Sequence, residues 1–293
     1  MKVIFSPKTY KHEKNLYSGG DLGYFSLNDI SVFGERVCLI DSKARKIIRT
    51  KGNEKQVFAT VPRCFLRLRK IRDSTLVLPG LDYSNYYHIV TDWAFQCYKA
   101  SLYGLAKNVV LPISLVGKFS TIQKLVKSFG LSIKYIHTPF EALALERAVF
   151  FDKPSGRFGE IAKLSPTPDA LNQFYRYIDS YFDGDEEHTG SYEMLFSTRR
   201  GNDSRLFEGI SEVENSYRKK GYKVVYFGDK TIEEQIRISQ NVIKFAGFHG
   251  ANLANLMFAK NCRSMEEVVS SHYNYDFRSL CHSRGIKHKF THL

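Results

Sequence analysis

The chain has 293 residues, enough for one large domain or two of ordinary size, each with its own core. Its composition, 43% hydrophobic and 25% charged, is that of a globular protein, and its net charge of +13 points to an anionic partner: nucleotide, phospholipid head group, acidic glycan or nucleic acid. No homeodomain, zinc-finger or RNP pattern accompanies the charge, which argues against sequence-specific nucleic-acid binding.

Met1 to Asn15 holds an apolar run of only three residues, so the sequence offers neither a signal peptide nor a membrane span there. Residues 1–73 read as a β-rich region, with strand-like runs "VCLID", "KIIRT" and "VFATV". "RCFLRLRKIR", 63–72, alternates basic and apolar residues as a half-exposed strand does, and offers a peripheral contact for anionic lipid. The pattern changes at Ser74 to strand and helix in alternation. "TLVLPG", "NVVLPI", "SIKYIH" and "ERAVFF" read as strands, and 86–103 and 120–129 as helices. Thr167-Pro168 starts a further amphipathic helix, "ALNQFYRYIDSYF", and the polar stretch "DGDEEHTGS", 183–191, reads as a linker.

A second alternation follows. Strands are expected at "YEMLFS", "YKVVYF", "NVIKFA" and "SMEEVV", with helices over 209–220, 231–240 and 251–258 and a capping box from Thr231 and Glu234. The resulting expectation is an α/β protein of two Rossmann-like domains facing a cleft: 74–182, the linker, and 192–293. The five cysteines are odd in number and widely spaced without a C-x-x-C pair, which fits reduced thiols in a cytoplasmic chain and not a zinc site.

Candidate chemistry gathers just past strand ends. In the second half, "STRRGNDSR" carries Ser197, Arg199, Arg200 and Arg205, and "GFHGAN" carries His249, Gly250, Ala251 and Asn252. Guanidinium forks match phosphate oxygens, and the helix expected behind His249 would add backbone donors. In the first half, "SNYYHIVTDW" opens a helix with Ser84 or Asn85 as cap and sets His88 and Asp92 four residues apart on one face. An imidazole held by a carboxylate suits a general base, and the same spacing also suits a pair that merely holds the helix. Asp183-Gly184-Asp185 spells D-x-D, but it follows an amphipathic helix and leads into more acids, as a solvated linker would.

"MLFSTRRGNDSRLFE", "TIEEQIRISQNVIKFAGFHGANLANLMF" and "SNYYHIVTDW" occur in the order and spacing of glycosyltransferase family 61, the capsular polysaccharide biosynthesis type, which the chain resembles over about 74–290. The resemblance implies a GT-B fold and inverting transfer from a nucleotide-sugar donor, xylose and N-acetylglucosamine being known donor sugars, to a glycan or lipid-linked glycan acceptor. It matches Ser197, Arg199, Arg205, Glu234, Gln235, His249, Gly250, Ala251, Leu253 and Asn255 to the family motifs, and implies that the donor lies against Ser197, Arg199, Arg205, Gln235, His249, Gly250, Ala251 and Asn252. Asn252 stands where many members have a second glycine, and Glu208-Gly209 where many have asparagine-glutamate. On this reading His249 stabilises the departing diphosphate, while His88, oriented by Asp92, serves as base or acceptor contact. No cofactor or metal is expected beyond the nucleotide sugar. The rival reading is a noncatalytic protein that binds an anionic ligand or nucleic acid through its positive charge.

Overall fold

The computed structural model describes residues 24–33, 38–41, 46–48, 67–78, 85–112, 115, 117–136, 141–151, 168–183, 192–200, 209–270 and 276–293. "VFATV" and nearly all of the linker lie outside these residues. The chain divides into two compact units.

The first unit is built on one sheet in the order β3-β2-β1-β8-β5-β6-β7, with β4 also on β8. Its strands are β1 Tyr24–Phe33, β2 Cys38–Asp41, β3 Lys46–Ile48, β4 Arg67–Ile71, β5 Thr75–Leu76, β6 Asn108–Pro112, β7 Ser132–Ile136 and β8 Glu141–Phe151. The long β8 organises it. One edge of β8 pairs parallel with β4 and then β5, and the other pairs antiparallel with β1. The N-terminal strands expected to form a region of their own are therefore continuous with the first α/β unit. β6 is buried at every position, and its Val109-Val110-Leu111 run is apolar, as in a strand covered on both faces. Among the described residues, helices α1, residues 86–102, and α2, Ser120–Ser128, accompany the parallel strands.

Helix α1 begins at Tyr86–His88, widens into a π-helical turn over Ile89–Trp93, and continues as Ala94–Leu102. Asn85 caps it by accepting from the Tyr87 N–H at 3.0 Å, and the Thr91 hydroxyl donates to the Tyr87 carbonyl at 2.6 Å. Trp93 and Phe95 are fully buried and anchor the helix in the core with Leu76, Val109, Val110 and Ile122. Lys99 on the same helix is also buried, and burial pushes its ammonium down to about 7, against about 10.4 in an unfolded chain. Between those values the unfolded chain holds more protons, so stability should rise as pH is raised through that window. Lys99→Met should abolish the rise in denaturant unfolding followed across pH.

The second unit holds a fully parallel sheet of β9 Met194–Ser197, β10 Lys223–Val225, β11 Lys244–Phe248, β12 Ser264–Val269 and β13 Lys287–His292. Its order is β10-β9-β11-β12-β13. In chain order that is 2-1-3-4-5, a doubly wound arrangement whose direction of winding reverses between β9 and β11. Helix α3, Pro168–Tyr181, belongs to this unit although the sequence grouped it with the first. Arg284 fixes it there, with both guanidinium arms on the Asp179 carboxylate at 2.8 Å and the Tyr175 ring beneath.

Helix α4, Ile210–Lys219, covers one face through Ile210, Val213 and Tyr217, which pack on Phe196, Ala246, Phe248 and Val268. Helix α5, Ile232–Gln240, carries the expected capping box of Thr231 and Glu234. Helix α6, Asp276–Ser283, precedes the edge strand β13. Ala251–Phe258, expected as an α-helix, is a 3₁₀ segment. Its tighter winding follows from Leu253 closing on the Gly250 carbonyl three residues back, at 2.9 Å.

Candidate active site

The point where the winding reverses is where an open parallel sheet leaves a crevice beyond its strand ends. Both candidate loops of the second unit start there, since β9 ends at Ser197 and β11 at Phe248. Ser197 and Gly247 are direct partners across the two strands, in a row that continues through Glu267 of β12 to Phe290 of β13.

The two glycines of the loop have different reasons to be glycine. A Cβ on Gly247 would lie 2.8 Å from both the Cβ and the carbonyl oxygen of Ser197, and 3.0 Å from Leu253 Cδ2. The position is bare so that the 3₁₀ segment can close on the sheet. Gly250 has an extended backbone, φ 165°, which any residue can adopt. Its Cβ would instead stand 2.5 Å from Nη2 of Arg199. The guanidinium therefore lies directly on the Gly250 backbone, which brings the first loop onto the second. Gly247→Ala should cost about 1–3 kcal/mol of stability by overpacking. Gly250→Ala should leave stability nearly intact and displace only the guanidinium. Thermal unfolding beside anion affinity separates the two outcomes.

Arg199 is buried, whereas Arg200, the next residue out of the strand, is exposed. Ser197 and Thr198 are buried, and the Thr198 hydroxyl donates to Glu214 of α4 at 2.5 Å. Arg205 lies outside the described residues. Ala251 and Asn252 are half-buried, and their N–H groups precede the first 3₁₀ hydrogen bond. Gln235 is placed otherwise than the sequence suggested. Its amide N–H groups donate to the carbonyls of Phe227 and Lys230, each at 3.1 Å, and its oxygen accepts from Asn255 at 3.0 Å. Those bonds commit it to holding α5 against the 3₁₀ segment, one step behind the loop.

His249 donates its backbone N–H to Val268 at 2.9 Å, extending the sheet by one residue. Its ring lies edge-on to Phe277 of α6, and its Nδ1 meets Glu267 Oε1 at 2.5 Å. The other oxygen of Glu267 meets His288 Nε2 at 2.7 Å. Burial by itself would raise the Glu267 carboxyl, yet the hydrogen bonds from His249 and His288 outweigh it and hold the group below its ordinary value. A charged carboxylate in a buried strand is thus satisfied by two imidazoles. Sequence reasoning passed over Glu267 and His288. The available signal was the Glu266-Glu267 pair in an otherwise apolar strand, because alternation turns one of two adjacent acids inward.

In the first unit, His88 and Asp92 do come together: Nδ1 meets Asp92 Oδ2 at 2.6 Å. Asp92 is buried in the π-helical turn while the His88 side chain is 24% exposed. That contact lets Asp92 hold the orientation of the His88 ring. The D-x-D stretch is described only at Asp183, which pairs with Lys260 at the surface.

A family model for glycosyltransferase 61 matches residues 86–266, a span that opens at the first residue of α1 and closes in β12 beside Glu267. The chain belongs to glycosyltransferase family 61. His88, Asp92 and His249 fall inside the matched span, and Glu267 is the next residue after it. Among curated proteins, none matches the chain. As a family 61 glycosyltransferase it has a sugar donor and an acceptor as substrates. Among the described residues, no helix is long and apolar enough to cross a membrane.

Proposed function

We propose that this glycosyltransferase has a GT-B organisation and moves a sugar from a nucleotide-sugar donor to a glycan acceptor of the surface or capsular polysaccharide type, with inversion. The second unit takes the donor and the first the acceptor. The observation that carries the reading is the meeting of Arg199 with the Gly250 backbone where the winding of the sheet reverses.

The diphosphate lies against the Arg199 guanidinium, the His249 ring and the N–H groups of Ala251 and Asn252, with Ser197 beneath them. The acceptor hydroxyl attacks the anomeric carbon from the face opposite the diphosphate. The bond from that carbon to the diphosphate oxygen breaks, and its electron pair leaves with the diphosphate. The His88 imidazole takes the hydroxyl proton, with Asp92 holding the ring. One displacement inverts the centre. The cationic and N–H donors stabilise the charge that develops on the leaving group.

Charge neutralisation by arginine and histidine takes the place of a metal, and the enzyme works in the cytoplasm, with Arg69 and Lys70 of β4 exposed for peripheral contact with an anionic membrane. Activity should accordingly survive EDTA. Loss on chelation and return with manganese or magnesium would contradict this.

The experiment for the reading as a whole is a thermal-shift screen of nucleoside diphosphates and nucleotide sugars. A ligand at 100 times its Kd stabilises the fold by about 2.7 kcal/mol. Stabilisation by one nucleotide family supports the proposal. DNA or RNA acting equally well at physiological salt would favour the noncatalytic anion-binding reading instead.

A further inference from the structure

We propose that Glu267, itself held by His288, is a positioning residue that fixes the proton of His249 on Nδ1 and presents Nε2 to the departing diphosphate. The inference rests on the donor-site reading above and adds residues that no motif in the loop contains.

Glu267 is fully buried at the centre of β12, and each of its oxygens faces one imidazole nitrogen, His249 Nδ1 at 2.5 Å and His288 Nε2 at 2.7 Å. An ionised carboxylate only accepts hydrogen bonds, so both facing nitrogens must carry hydrogen. His249 is thereby held as the Nδ1–H tautomer, and His288 as the Nε2–H tautomer. With both oxygens occupied, the carboxylate cannot rotate without breaking one of the two bonds.

The consequence falls on the other nitrogen of His249. Nε2 makes no hydrogen bond among the described residues, while the ring is kept from turning by Glu267 on one side and the edge contact with Phe277 on another. The next residue, Gly250, carries the Arg199 guanidinium on its backbone. Nε2 is thus the adjustable member of the site. It accepts a hydrogen bond when the ring is neutral and donates one to a diphosphate oxygen when the ring is protonated, and in the second state Glu267 balances the imidazolium charge. Among the described residues, the Cys281 thiol of α6 is a further titratable group near this carboxylate, and burial, and then the charges of Cys262 and Glu267, push it well above the ordinary thiol value. It stays a neutral neighbour.

His288 serves the second oxygen. Without it one lone-pair face of a buried carboxylate would go unpaired, which is costly in a low-dielectric interior. His288→Gln, which retains an N–H on a flexible arm, should keep the arrangement. His288→Phe should loosen it.

The test is two-bond proton–nitrogen NMR on the full chain with histidines labelled in nitrogen-15, recorded where the rings are neutral, with His249→Gln and His288→Gln for assignment. The wild-type spectrum should show His249 as the Nδ1–H tautomer. In Glu267→Gln, a carboxamide can accept from one imidazole only, so His249 should shift at least in part to Nε2–H. Inorganic pyrophosphate should move the His249 Nε2 resonance in the wild type, and should bind Glu267→Gln at least roughly tenfold more weakly, the lower end of losses seen when outer partners of a site histidine are removed. A wild-type His249 carrying its proton on Nε2 would overturn the proposal, as would a tautomer indifferent to Glu267→Gln. The wild-type spectrum alone decides should that variant fail to fold. A correct tautomer that ignores pyrophosphate would instead reject the donor-site reading, so the two failures are distinguishable.

Discussion

His88→Ala is expected to lower kcat by about 10²–10⁴ while leaving donor affinity nearly unchanged, the range over which a positioned general base acts. The expectation follows from the bond between His88 Nδ1 and Asp92, which holds the imidazole in one orientation as a positioned base requires. Truncation also strips a partner from Asp92, a buried carboxylate, so stability has to be followed beside rate. His88→Gln separates the effects. Its amide can still donate to Asp92 and preserve the helix, yet it cannot take up a proton. A folded His88→Gln enzyme should be as slow as the alanine variant. Full kcat in either variant would remove His88 from the mechanism and make Asp92 the next candidate. Asp92→Asn should cost less, by releasing the tautomer that His88 adopts.

Arg199→Ala should weaken binding of a nucleoside diphosphate by about 10- to 150-fold, equivalent to the 1.5–3 kcal/mol of a charge-assisted hydrogen bond. Arg200→Ala should have a small effect. The two are adjacent, but one is buried on Gly250 and the other exposed to solvent. Lysine at position 199 should recover only part of the affinity, because an ammonium lacks the planar fork that meets two phosphate oxygens. Equal losses for the two alanine variants, measured by calorimetry, would reject the assignment of Arg199.

The regular part of the fold was legible because its signals are local. Val109, Val110 and Leu111 form a buried run, Thr231 and Glu234 make the capping box they spell, and Asn85 caps α1. What escaped depends on distant partners. β13 reads Lys-His-Lys-Phe-Thr-His, a polar edge strand that becomes a strand only by pairing with β12. Helix α3 has an amphipathic face that fits either unit on sequence alone, and contacts such as Asp179 meeting Arg284 assign it to the second. The 3₁₀ winding of Ala251–Phe258 reflects closure of Leu253 over bare Gly247, a tertiary constraint that no helical periodicity reports.

The candidate site divides along the same line. Arg199, His249 and Gly250 could be named because they sit beside strand ends in sequence. Glu267 and His288 could not, because what joins them to His249 is the sheet order, in which β12 lies between β11 and β13. Gln235, named as a donor contact, is drawn inward by carbonyls eight and five residues before it and by Asn255.

The central claim is that the donor diphosphate lies beyond the carboxyl ends of β9 and β11, and a crystal structure of the chain with its most stabilising nucleoside diphosphate tests it most directly. The account predicts phosphate density within hydrogen-bonding distance of the Arg199 guanidinium, His249 Nε2 and the Ala251 and Asn252 N–H groups. Diphosphate bound elsewhere, with Arg199 still resting on Gly250 and His249 untouched, would contradict it.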